Sequence, residues 1–173
     1  YLSASQTIFQ SFYGVGERFA YIFATLAFSI GLASFINSKI VMRLGMYRVT
    51  QVALIGSVVF AVIFLGIIEI FDGLPPLVVT IGSLFIGFFF VGLLFGNLNA
   101  MAMHPLGDMA GLGAAIIGSL SSIIAVLVAT TVDSFLTKDL FPIGAGFLVF
   151  FTLAFIIIRL SLQRPDKPAE SLS

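Results

Sequence analysis

The chain has 173 residues, 60% of them hydrophobic, with 8 basic and 8 acidic side chains and a net charge of zero. Charged residues make up 9% of the chain, against about a quarter in soluble domains, so an ordinary water-soluble globular protein is excluded: its surface would be left largely apolar. Zero cysteines exclude disulfides and thiolate metal sites, the lone His104 cannot build a metal site by itself, and no basic run or glycine-rich phosphate cradle points to nucleic acid or nucleotide.

Lipid is therefore the expected solvent. A hydrocarbon core about 30 Å thick needs about 20 apolar residues in a helix, and the charges bracket segments of that length. Residues 1–13 are apolar and aromatic but too short to span, and they end in the turn signal Gly14-Val15-Gly16-Glu17. They read as the end of a helix whose beginning lies upstream, so the chain is expected to be a fragment. The first full span is 19–38, between Arg18 and Lys39. It places Tyr21, Thr25 and Ser29 at i+4 steps, a polar stripe expected to face protein or water. The second is 49–69, whose polar groups Thr50, Gln51 and Ser57 lie in its first half.

The third span is 77–100, trimmed by Pro75-Pro76 and by His104-Pro105. It carries Ser83/Gly87 and Gly92/Gly96 at i,i+4, which suggests close packing or bending, and ends with Asn97 and Asn99. The fourth, 110–133, repeats Gly111, Ala115, Gly118, Ser122, Ala125 and Ala129 at steps of 4, 3, 4, 3 and 4. Such a small-residue face lets another helix backbone approach, as a packing seam or as a surface on which helices rock. The fifth, 142–160, has Thr152 as the polar group of its interior. The tail, 163–173, is polar, carries two prolines and is expected to be disordered.

The expected fold class is all-α, a polytopic transmembrane helix bundle. A β-barrel is excluded because its strands alternate over about ten residues. Polarity predicts that the second and fifth spans face lipid while the others surround a cavity. No ionisable residue lies near the middle of a span; Glu69 and Asp133 sit at helix ends, and His104 reads as a solvated loop residue. Lys39, Arg43, Arg48, Arg159, Arg164 and Lys167 fall on one side of the membrane, Arg18 and Lys138 on the other, which predicts a cytoplasmic C-terminus.

The loop Asn37-Ser38-Lys39-Ile40-Val41-Met42-Arg43-Leu44-Gly45-Met46-Tyr47-Arg48 resembles the cytoplasmic loop between the eighth and ninth helices of major facilitator superfamily transporters. The nearest likeness is to the bacterial Bcr/CflA-type drug-resistance branch. Arg43, Gly45 and Arg48 fit the superfamily pattern, while Ser38 stands where it has a glycine and Met42 where it has an acid. Tyr1-Leu2-Ser3-Ala4-Ser5 through Phe9-Gln10 and Tyr13-Gly14-Val15 is similar to the end of that branch's seventh helix. Gly96-Asn97 with Ala100-Met101-Ala102 is similar to the end of its tenth, and His104-Pro105 with Ala110-Gly111-Leu112-Gly113-Ala114 to its entry into the eleventh.

The resemblance implies the C-terminal six-helix half of a twelve-helix transporter, holding the end of helix seven through helix twelve. It implies proton-coupled efflux of drug-like small molecules by alternating access across a bacterial inner membrane, with no enzymatic activity and no cofactor beyond the proton gradient. The partners expected are the bilayer, a small-molecule substrate and the missing N-terminal half, with no nucleic acid. In that picture Tyr1, Ser5, Gln10, Tyr21, Thr25 and Asn97 are candidates for the cavity wall. Lys39, Arg43, Gly45 and Arg48 form the conformational and topology loop, with the two arginines also suited to a helix C-terminus. A transporter of a polar metabolite is the alternative within transport; a non-transporting membrane subunit or the membrane domain of an enzyme is the alternative outside it.

Overall fold

The computed structural model describes residues 4–104, 109–136 and 138–162, and it is all-helical, with no strand among the described residues. Tyr1, Pro105, and residues 163–173 with Arg164 and Lys167 lie outside the described residues. Five long helices follow a short opening segment: α1 (Phe19–Leu44), α2 (Met46–Ile70), α3 (Leu77–Met103), α4 (Ala110–Ser134) and α5 (Phe141–Leu162). All five are long and apolar enough to cross a membrane.

The opening segment forms a π-helical turn at Thr7–Phe12. Its Ala4, Ile8 and Phe9 are buried in the core among Ile22 and Leu26 of α1, Phe60, Phe64 and Ile68 of α2, and Leu84 and Phe88 of α3. Too short to span, it still contributes to the centre of the bundle.

The expected loop at Asn37–Arg48 contracts to one residue. α1 continues through Leu44 because nothing in Ser38–Leu44 breaks a helix, and Lys, Met, Arg and Leu all favour one. Gly45 then turns the chain with φ +80° and ψ 151°, a conformation open essentially to glycine alone. Its N–H donates to Val41 O at 2.9 Å, and α2 begins at the next residue. Arg43 therefore sits in the last turn of α1, where a cation suits the helix dipole, whereas Arg48 falls in the first turn of α2, at the opposite pole from the one expected.

α2 ends in a Schellman-type cap with Asp72, at φ +52°, as its left-handed residue: Asp72 N donates to Glu69 O at 3.2 Å and Gly73 N to Ile68 O at 2.8 Å. Pro75 and Pro76 then lead into α3. At the same end of the bundle Leu140 N donates to Gly73 O at 2.9 Å, joining the α4–α5 connection to the α2–α3 turn, and Asp139 Oδ1 accepts from Phe141 N at 3.0 Å to cap α5.

Packing runs α1 on α3, α3 on α2 and α2 on α5, with α4 lightly attached to α5 and α3. α1 and α3 approach closely at Gly92, where a Cβ would lie 2.8 Å from Ala33 Cβ and 3.0 Å from Ile30 O. Between α2 and α5 the contact is aromatic: Phe60 stacks on Phe64 (5.5 Å between centroids) and meets Phe147 (5.9 Å), which stacks on Phe151 (5.6 Å).

α2, read from polarity as an outer helix, lies between α3 and α5. Val49, Ala53, Leu54, Ser57, Phe60, Ala61, Phe64 and Ile68 make its buried face, and Val52, Ile55, Val59, Val62 and Ile63 an exposed, wholly apolar one. α4 is the least embedded helix: Gly111, Ala115, Gly118, Ser122 and Ala125 are exposed and Ala129 is half-buried.

Candidate functional site

The side chains expected on a cavity wall separate into three environments. Tyr21 and Thr25 stand on an open face of α1: Tyr21 is 77% exposed, and the same face continues through Phe28 and Phe35, each a further seven residues along. Thr25 Oγ1 donates back to Tyr21 O at 2.8 Å, so the phenol of Tyr21 is the polar group this stretch presents outward.

Four residues on from Thr25, Ser29 is fully buried and donates to Phe85 O of α3 at 2.5 Å. An i+4 stripe advances about 40° per step on a 3.6-residue helix, so Tyr21-Thr25-Ser29 starts on the open face and ends in the α1–α3 contact.

Asn97 belongs to the second environment. It is 2% exposed, and its Nδ2 donates to Asn37 Oδ1 at 2.8 Å and to Leu93 O at 2.8 Å, while Asn37 Nδ2 donates to Asn97 Oδ1 at 3.3 Å. This reciprocal amide pair is a latch between α1 and α3. Asn37 carried no role in the sequence beyond opening the loop motif; the signal that could have found it is an amide inside a helix that continues past residue 38, level with another amide on α3.

The third environment is the opening segment. Ser5 is buried, and Gln10 Nε2 donates to Gly16 O at 3.2 Å, closing the turn that leads into α1. Tyr13, which the sequence did not single out for chemistry, donates its hydroxyl to Pro75 O at 2.6 Å and lies 2.6 Å from Thr80 Oγ1. It ties the opening segment to the start of α3. Tyr1 lies outside the described residues, and none of the other five borders the cavities described below.

The charged side chains divide by end. Lys39, Arg43, Arg48 and Arg159 lie where α1, α3 and α5 finish and α2 starts. Lys39 Nζ sits 4.7 Å above the Phe35 ring and Arg159 Cζ 5.5 Å from the Phe155 ring. In each case the cation covers an aromatic one turn earlier in its own helix. Among the described residues the other end holds Arg18 and Lys138 with Glu17, Glu69, Asp72, Asp133 and Asp139. Asp133, expected within reach of water, has one carboxylate oxygen, Oδ1, that is buried and without a hydrogen-bond partner.

A cavity lies at each end. One, about 420 Å³, is lined by Gly45, Met46, Tyr47, Met101 and the exposed His104. The other is an apolar groove between α4 and α5. Among the described residues no group of His, Asp and Glu is placed to hold a metal ion.

Compared with models of protein families, with curated proteins and with solved structures, the chain finds no match in any of the three. An open aromatic face on α1 and an open small-residue face on α4 flank a packed centre of α3, α2 and α5.

Proposed function

We propose that the chain is one half-bundle of a secondary active transporter of the major facilitator superfamily, of the Bcr/CflA-type drug-resistance branch. It exports drug-like small molecules by alternating access, coupled to proton entry. The observation that carries the reading is the asymmetry of the bundle: α1 and α4 keep faces open that suit a second helical bundle and a substrate path between the two. Tyr21, Phe28 and Phe35 offer aromatic surface, with one phenol for hydrogen bonding, which fits varied apolar or cationic molecules. The smooth face of α4, Gly111 through Ala129, suits rocking against the second bundle.

In this reading the basic end, with Lys39, Arg43, Arg48 and Arg159, faces the cytoplasm of a bacterial inner membrane and places the C-terminus there. The protein is a transporter rather than an enzyme, with the proton gradient as its energy source and no cofactor. The proton-carrying group belongs to the second bundle, since no charge lies near the middle of α1–α5.

The test is flux in vesicles containing the full-length protein. A fluorescent lipophilic cation is expected to move against its gradient only while an opposing proton gradient is maintained. Movement that survives collapse of that gradient would reject antiport.

A further inference from the structure

The groove between α4 and α5 lies apart from the open face of α1 and takes in the Ala125–Ala129 end of the small-residue face of α4. Its wider part, about 540 Å³, is lined by Val132, Phe135, Phe141, Pro142 and Phe150 among others, with Asp139 at its rim. A narrower part, about 210 Å³, continues between the same helices past Ala125, Val128 and Ala129. The two share Val132, Gly146 and Phe150. From Phe135 to Ala125 the groove follows ten residues of α4, about 15 Å at 1.5 Å per residue and so about half of a 30 Å hydrocarbon core. It is one leaflet deep.

We propose that this groove holds one acyl chain of an aminophospholipid, with the lipid ammonium at the Asp139 carboxylate and its phosphate beside Lys138. An apolar slot at the depth of the spans excludes water, and left empty it would forfeit the dispersion contacts of its walls. A lipid tail is the apolar body present at highest concentration on that surface. The rim supplies the head-group chemistry. Asp139 Oδ1 is engaged by Phe141 N at 3.0 Å, which fixes the carboxylate at the start of α5 and leaves Oδ2 for a cation. The neighbouring Lys138 is exposed. An acid and a base side by side complement a zwitterion whose ammonium donates hydrogen bonds, and they favour it over one whose quaternary ammonium cannot. The proposal does not rest on transport: in the proposed transporter the lipid takes the Ala125–Ala129 end of the small-residue face and leaves Gly111 through Ser122 for the second bundle.

The test uses the full-length protein in nanodiscs of phosphatidylethanolamine or phosphatidylcholine, each with a photoreactive group in the acyl chain, and maps the labelled peptides. Label from phosphatidylethanolamine is expected to concentrate on Val132, Phe135, Gly146 and Phe150, above the level on exposed Val62 of α2, and to exceed that from phosphatidylcholine by about threefold, the scale of one exposed ion pair. Asp139→Asn keeps an oxygen for Phe141 N but removes the charge; it should bring the two lipids to equal labelling. At Gly146 a Cβ would meet Val132 Cγ2 at 3.5 Å, so Gly146→Leu reaches into the groove and should lower labelling by both lipids. If that variant does not fold, Asp139→Asn decides alone. Equal labelling by the two lipids in the unsubstituted protein, labelling no higher than at Val62, or crosslinks from the groove to a second protein copy or to another segment of the chain would each overturn the proposal.

Discussion

Asn37 and Asn97 satisfy each other across α1 and α3, so removing one amide strips the other of its cross-helix partner. A double-mutant cycle of Asn37→Ala and Asn97→Ala, read by unfolding in detergent, should give a coupling of about 0.6 kcal/mol and at most about 1.7, the average and maximum for interhelical hydrogen bonds in membranes; additive single effects would remove the latch. Tyr13→Phe deletes the hydroxyl that reaches Pro75 O and Thr80 and should destabilise by about 1 kcal/mol in the same assay, whereas an unchanged midpoint would leave the opening segment held by its apolar residues alone. At this scale the sequence was least informative. It could mark Asn97 as polar in an apolar helix, but a partner 60 residues away depends on how α1 and α3 meet. Likewise Tyr21 and Ser29 look alike as members of one stripe, and only the packing of Ser29 against Phe85 separates an open position from a buried one.

The five long helices could be read from charge spacing and proline placement, because lipid forbids charge within a span and proline is tolerated best at helix starts. Their ends were harder. Ser38 through Leu44 looked like loop because it carries two cations, yet cations are good helix formers and extend α1 beyond the apolar segment. Gly45, with φ +80° and ψ 151°, makes the whole connection to α2. Gly45→Ala should therefore cost about 1–3 kcal/mol, while Gly66→Ala, exposed within α2 with nothing within 4 Å of the added Cβ, should be neutral or stabilising. Equal effects in thermal unfolding would contradict that distinction. The position of α2 was not legible for a different reason. In a bilayer, an apolar face fits a neighbouring helix as readily as it fits lipid, so the low polarity of α2 could not reveal that one of its faces packs on α3 and α5 while the other stays exposed.

For the whole molecule, the charge distribution and the open faces form one argument. Among the described residues four cations and no acid occupy one end, and five acids with two cations the other, which is the asymmetry a fixed orientation requires. The centre of the bundle is closed by aromatic packing, while α1 keeps an aromatic face with a phenol open and α4, exposed on nearly all sides, presents its small residues beside Leu112, Ile116, Leu120, Ile123 and Leu127. The proposed transport half-bundle needs water on the open face of α1, whereas an anchor surrounded by lipid does not, and that difference can be measured directly. The chain has no cysteine of its own, so Tyr21→Cys, Phe28→Cys and Val59→Cys each add one thiol to it, the first two on the open face of α1 and the third on the outer face of α2. In the full-length protein in membranes, a water-soluble maleimide should label the Tyr21→Cys and Phe28→Cys proteins at least tenfold faster than the Val59→Cys protein, since the reacting thiolate needs water, and a transported cation should slow the labelling of the α1 sites. Phe28→Cys reacting no faster than Val59→Cys would place lipid on the face of α1 and contradict a substrate path there.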